Sequence, residues 1–166
     1  LFRSLVVSHS PVEIQALCEE VYALERGRVT AFGAPIDVFT QKNVYPATTG
    51  EGFENVLSGV IEHRDSRLSQ IRLDGEGEQT SQILNLLRLE MPAGTRLKMS
   101  VPAADILVAT KRVEGLSARN QLEASLEKIE PMGRHCLLAA TLLCGQRVLI
   151  ELTEDAVESL ALRPGQ

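Results

Sequence analysis

Ser117-Ala118-Arg119-Asn120 brings a hydroxyl, a guanidinium and an amide together within four residues, immediately before an apolar run that reads as a strand. Short hydrogen bonds from hydroxyls and backbone N–H groups, reinforced by a cation, hold a small tetrahedral oxyanion well. In that chemistry Ser117 donates its hydroxyl, Arg119 makes a charge-assisted bond, and Asn120 braces the loop. A second group stands far upstream in Ser8-His9-Ser10-Pro11, after a short apolar run. An imidazole at the junction of a strand and a helix occupies a common place for ligand chemistry in α/β sheets, where it can sense a phosphate.

The rest of the composition narrows the classes. The chain has 166 residues, 44% of them hydrophobic, enough for one or two small domains with a buried core. Aromatic residues make up 4% and Trp is absent, which argues against stacking on bases or sugars. A net charge of −5 argues against a nucleic-acid or anionic-membrane surface, so an anion needs a local site against a repulsive mean field. Cys18, Cys136 and Cys144 fit no metal spacing, and an odd count in an acidic chain suits buried thiols in a reducing compartment. No apolar run reaches the ~18 residues of a membrane span, and no signal-peptide pattern is present. The start at Leu1, without Met and inside a strand pattern, reads as a truncated start.

The elements that position these groups fall into two segments. Residues 1–45 read as α/β. Phe2 to Ser8 is a short strand, and a helix follows with Ser10 as N-cap, Pro11 at its first position and Glu13 at the capping-box position, running to about Glu20. Val21–Leu24 and Arg28–Phe32 form a hairpin around Glu25-Arg26-Gly27. Pro35–Thr40 supplies one or two helical turns, and the polar stretch at 46–52 is a linker. Residues 53–166 read as mostly β, a small OB-like barrel region with an internal repeat, about 53–115 and 116–166. Asn55–Glu62 matches Asn120–Glu127, Leu68–Leu73 matches Cys136–Leu143, and Pro92–Thr95 matches Arg163–Gln166. Strands at Arg96–Val101 and Asp105–Ala109 follow the first turn; the repeat logic therefore predicts a missing final strand of roughly 15 residues in the second copy.

Ser8-His9-Ser10-Pro11-Val12-Glu13, Leu24-Glu25-Arg26-Gly27-Arg28-Val29 and Gly33-Ala34-Pro35 resemble the end of an ABC-transporter nucleotide-binding domain. Ser117–Asn120 and Val157-Glu158-Ser159-Leu160 resemble the molybdate-binding Mop/TOBE domain. Their order is similar to that of the ATP-binding subunit of a bacterial molybdate ABC importer. The resemblance implies that His9 is the switch histidine, and that Ser117, Ala118, Arg119 and Asn120 hold molybdate or tungstate with Thr153 from a complementary unit, just before a short helix at Asp155–Leu160. It implies ATP with Mg in the intact subunit, a homodimer of ATPase subunits, a membrane permease partner and no nucleic acid. It also implies a cytoplasmic location, peripheral on the inner face of the bacterial membrane. The sequence contains no GxxxxGK[ST] loop, signature loop or catalytic carboxylate strand, so these residues by themselves are expected neither to bind nor to hydrolyse ATP.

Several positions depart from the pattern. Gly52-Phe53-Glu54-Asn55 matches the oxyanion motif in the first repeat, but Glu54 stands where the arginine belongs and would repel an anion. Pro102 replaces a basic residue and Ala156 a second hydroxyl. Two rival readings stay open at this point: an importer ATPase for sulfate, sugar or polyamine whose TOBE domain only dimerises or docks a regulator, and a free molybdate regulator or storage protein. His63, His135-Cys136, Cys144, the acidic run Glu151, Glu154, Asp155, Glu158 and the loop Gly75–Glu78 read as structural or solvated.

Overall fold

The computed structural model describes residues 4–41, 44, 52–75 and 81–166. Helix α1 spans Pro11–Leu17, followed by strands β1 (Val21–Glu25) and β2 (Arg28–Gly33) and helix α2 (Pro35–Phe39). The remainder is mostly β: β3 (Glu54–Arg64), β4 (Leu68–Leu73), β5 (Ile83–Leu87), β6 (Arg96–Pro102), β7 (Ala124–Met132), β8 (His135–Leu142) and β9 (Arg147–Thr153), closed by helix α3 (Glu154–Ser159). All pairings are antiparallel, in sheets ordered β1-β2, β5-β4-β3-β6 and β7-β8-β9.

Local chemistry explains the first elements. Ser10 Oγ accepts the Glu13 N–H at 3.4 Å, and Pro11 follows it at the start of α1. The capping box is only half formed. The Glu13 carboxylate accepts from the Ser8 hydroxyl (2.6 Å), and Ser8 Oγ takes the Ser10 N–H (3.0 Å) that Glu13 was expected to bind. The helix ends at Leu17 rather than Glu20, because Cys18 is already extended ahead of the pairing of Val21 with Gly33. Arg26 (φ 49°) and Gly27 (φ 77°) form the two-residue, double-positive-φ loop that matches the twist of a hairpin.

The strand expected over Phe2–Ser8 is absent from its described part. Residues 4–7 have no strand partner among the described residues, and Leu5 and Val7 are 90% and 86% exposed. A lone strand leaves every backbone group to water, so apolar side chains by themselves do not hold it extended. Two further expectations need correction. Asn120–Glu123 lies outside any strand, and β7 begins at Ala124. Asp105–Ala109 is not a strand but follows a 3-10 turn at Ala103–Asp105. Strand β5 was not anticipated at all. The expected linker at 46–52 lies outside the described residues apart from Gly52.

Two cores meet at one strand. β3 alternates strictly, with Asn55, Leu57, Gly59 and Ile61 turned inward. Gly59 is required there, since a Cβ would lie 2.7 Å from Arg72 O and from Ile71 Cγ2. β8 is buried on both faces. Cys136, Leu138, Ala140 and Leu142 pack with Leu57, Ile61, Ile71 and Leu73, while Leu137 and Ala139 pack with Ile14, Val38, Phe39 and Leu149. The first segment therefore rests on the outer face of β8 and β9. Arg147 reinforces that contact, its guanidinium bridging Asp37 of α2 (2.8 Å) and Glu127 of β7 (2.9 Å). The hydrogen bond it donates to Asp37 holds the Arg147 proton more firmly than usual.

Strands β3 and β7 carry the same local devices. Both shift register against the next strand, between Ile61 and His63 and between Leu126 and Lys128. Gly94 N–H donates to Ile61 O (2.7 Å) and Ile61 N–H to Thr95 O (3.0 Å). Gly165 N–H donates to Leu126 O (2.7 Å) and Leu126 N–H to Gln166 O (2.8 Å).

Among the described residues, Asn55 is the one buried amide that links the two large sheets directly. It is 1% exposed, its Oδ1 accepts from Leu149 N–H (2.6 Å), and its Nδ2 donates to Leu149 O (2.8 Å) and Val101 O (3.2 Å). Asn55→Ala leaves these backbone groups buried and unpaired, and is expected to cost about 2–4 kcal/mol in urea unfolding. A loss below about 0.5 kcal/mol would show that water replaces the amide.

The β3–β4 turn carries a pH signature. Asp65 Oδ1 accepts the N–H groups of Arg67 (2.6 Å) and Leu68 (2.7 Å), which hold its carboxyl below the ordinary 3.8. A lowered folded value stabilises above the unfolded value and is lost as pH falls through the folded one. Urea midpoints between pH 5 and about pH 2 are expected to fall more steeply in the wild type than in Asp65→Asn; identical slopes would remove Asp65 from the acid transition.

Candidate functional site

The expected oxyanion residues fall into two places. Ser117, Ala118 and Arg119 are exposed on the irregular segment that precedes β7. Among the described residues neither Ser117 nor Arg119 has a hydrogen-bond or ion-pair partner in the chain. Asn120 is half-buried, with Oδ1 accepting the Asn85 N–H (2.8 Å) and Nδ2 donating to Asn85 O (3.1 Å). One residue on, Gln121 closes the loop upon itself. Its Nε2 donates to Val113 O and its Oε1 accepts Val113 N–H, both at 2.9 Å. The hydroxyl and the guanidinium thus stand on a stapled loop running from Val113 to Gln121, with free donors on an exposed face. That donor set fits an anion.

Thr153 lies elsewhere. It ends β9 and caps α3, its Oγ1 accepting the Ala156 N–H at 3.2 Å. Its hydroxyl proton stays free for a ligand, since the cap uses only a lone pair. Two seams explain the separation. Asn120 grips Asn85 of β5, and Gln82 beside it donates to Glu123 O (3.0 Å), so this stretch of the loop runs antiparallel to β5. On the other seam Asn55 grips Leu149 of β9, and Gln146 donates to Ser58 O (2.8 Å) and accepts Ser58 N–H (2.8 Å). Thr153 lies on β9 beyond Leu149, on the Asn55 seam; Ser117 and Arg119 lie on the Asn120 seam.

The first-repeat counterpart of the motif is engaged internally. The Glu54 carboxylate accepts from the Ser100 hydroxyl, and Glu54 O accepts from Gln15 Nε2 (2.8 Å). Glu54 also pairs with Pro102 across β3 and β6, so both departures from the pattern sit side by side. His9 is exposed just ahead of α1, between the two serines of the cap, and is not brought to the other site residues by any contact among the described residues. With no phosphate loop in the sequence, His9 alone does not make an ATP site. The expected loop at Gly75–Glu78 lies outside the described residues apart from Gly75. Burial pushes the Cys136 thiol up, aided by Glu154 and Glu158. His135 Nδ1 lies 3.9 Å from the Glu151 carboxylate, and no group of three ligating side chains that could hold a metal occurs among the described residues. No helix among them is long and apolar enough to cross a membrane.

Gln82, Asn85 and Gln121 escaped the sequence reading. Their one signal is a cluster of amides around the motif, and nothing in their spacing says which backbone they meet.

Substitution of Thr153 separates its cap from its free hydroxyl. Thr153→Val is expected to lower stability by about 1 kcal/mol, the usual cost of a lost N-cap, while Thr153→Ser stays near wild type in thermal unfolding. Equal stability of all three would remove the cap from the account.

Residues 116–166 match the TOBE domain family. The chain is 32% identical over 163 residues to the molybdenum import ATP-binding protein ModC of Rhizobium etli, covering 96% of this chain and 43% of that protein. It is 31% identical over 163 residues to the ModC of Methylococcus capsulatus, covering 98% of this chain and 44% of that protein. The chain thus spans less than half the length of these relatives. Among solved structures, the cytoplasmic molybdate-binding protein ModG, in a form with molybdate bound, superposes with a TM-score of 0.54 at 25% identity, over 67% of this chain and 84% of that one. Residues 116–166 thus match the TOBE domain family, and over nearly its whole length the chain is similar to part of the molybdenum import ATP-binding proteins.

Proposed function

We propose that this chain is the C-terminal portion of the ATP-binding subunit of a bacterial molybdate importer, and that residues 53–166 form its oxyanion-binding regulatory domain. The observation that carries the reading is the conjunction of two likenesses on one chain: molybdenum import ATP-binding proteins over nearly its whole length, and the fold of a molybdate-bound protein over two thirds of it. Residues 1–45 are the end of the nucleotide domain, with His9 as its switch histidine and 46–52 as linker. The regulatory domain consists of two OB-like repeats, about 53–115 and 116–166. The shared register shifts, the paired turn closures on Ile61 and Leu126, and the reciprocal grips of Asn55 and Asn120 support that division.

Ser117 and Arg119 are the donors for molybdate or tungstate in one half-site and Thr153 in the other. Because the two halves stand on different seams, a pocket that uses both needs a second copy of the chain, which supports a homodimer. Glu54 removes the arginine from the Thr153 seam within the chain. ATP and Mg belong to the intact subunit, which works with a membrane permease at the inner face of the membrane; no step through the nucleotide is derived from the residues present.

Thermal unfolding of the 166-residue chain with molybdate, tungstate or sulfate tests the reading. An anion that binds only the folded state, at ~100 times its Kd, adds roughly 2.7 kcal/mol. Molybdate and tungstate are expected to raise Tm, sulfate to have little effect, and Arg119→Ala to abolish the rise. No shift with any of the three would favour a TOBE domain that only dimerises.

A further inference from the structure

The loop that carries Ser117 and Arg119 owes its shape and its place to different residues. Gln121 fixes the shape, since both of its bonds return to Val113 within the same loop. The place of Asn120 is set from outside, by its grip on Asn85 of β5; farther on, Glu123 O accepts from both Gln82 beside β5 and the Leu143 N–H after β8. Building on the oxyanion reading above, we propose that Asn120 is a positioning residue rather than a ligand: by gripping the Asn85 backbone it makes the first repeat the scaffold on which the anion loop of the second is aimed.

The geometry carries this in three steps. First, Asn120 commits both ends of its amide to one backbone unit, a two-point grip that fixes rotation as well as distance. Second, Ser117 and Arg119 have no bonds of their own among the described residues, so their direction is inherited from the residue that anchors them. Third, the equivalent grip of Asn55 on Leu149 is buried and next to Glu54, whose carboxylate is taken by Ser100. The same device therefore serves cohesion on one seam and aim on the other. The first repeat, which has lost its own arginine, keeps a purpose as the platform for its neighbour.

The test compares Asn120→Ala and Asn55→Ala in the full chain, with molybdate as the probe. Three readouts are needed: Kd by calorimetry, Tm without anion, and hydrogen exchange at the Asn85 amide. Loss of an outer support for a ligand loop commonly weakens binding about tenfold or more. Asn120→Ala is expected to raise Kd about tenfold, speed Asn85 exchange and lower Tm only slightly. Asn55→Ala is expected to lower Tm more, yet to weaken binding less than Asn120→Ala does below its transition, since the Asn55 seam carries Thr153 but neither Ser117 nor Arg119. Asn120→Gln retains the amide at a longer reach, so it too is expected to bind more weakly, and it gives the same reading if the alanine variant does not fold. The proposal is overturned if Asn120→Ala binds as wild type while Asn85 exchange accelerates. It is equally overturned if binding is abolished with Asn85 protection intact, which makes Asn120 a ligand, or if Asn55→Ala weakens binding as much. Absence of molybdate binding in the wild type defeats the oxyanion reading itself, and this inference with it.

Discussion

A buried side-chain amide bound to the backbone of another sheet is the interaction on which this fold depends. Asn55 leaves water almost completely and recovers the cost only because Leu149 offers both its N–H and its carbonyl in register. Apolar packing is tolerant of small slips, but a two-point amide grip is not. It fixes the offset between β3 and β9, and with it which side chains of β8 face each core. No buried side-chain nitrogen or oxygen lacks a partner among the described residues, so the polar elements of this interior are satisfied rather than strained.

Much of the local structure was legible because it is set by neighbours in sequence. The start of α1 follows from Ser10 and Pro11, and the hairpin from Arg26-Gly27, since both are decided within a few residues. β8 was legible as a strand, but its burial on two faces follows from the helices of the first segment, which sequence periodicity does not reveal. The apolar run at Leu5–Val7 misled for the opposite reason. Its composition suits a strand, and a strand exists only where another one pairs with it. β5 was missed because Ile83-Leu84-Asn85-Leu86-Leu87 carries one β-branched residue and apolar side chains on both faces: Leu84 and Leu86 turn to the core, Ile83 and Leu87 share the other face with Asn85, and it is the Asn85 backbone, not its side chain, that holds Asn120.

The candidate site was half legible in the same sense. Residue types at 117–120 were enough to suggest anion chemistry, and the capping role of Thr153 is local. Where those groups stand relative to each other depends on contacts between residues 35 and 94 positions apart. Departures from the motif gain meaning only through the fold. Glu54 and Pro102 are distant in sequence, yet they are direct neighbours across β3 and β6, so both departures from the motif fall at one place.

An acidic chain that binds an anion must overcome its own field. With a net charge of −5, long-range attraction works against capture, and screening at physiological salt limits that opposition to within about 8 Å of each charge. What remains is local. An unpaired guanidinium and hydroxyl on a stapled loop spend little further entropy on binding, because Gln121 and Asn120 have already fixed the backbone that carries them. Had Arg119 been paired with a carboxylate, as Arg147 is with Asp37 and Glu127, an incoming anion would first have to break that pair. The chain thus uses its two kinds of arginine differently: Arg147 is neutralised and holds segments together, while Arg119 has no carboxylate partner among the described residues and stands on a loop whose position is fixed by amides that carry no charge at all.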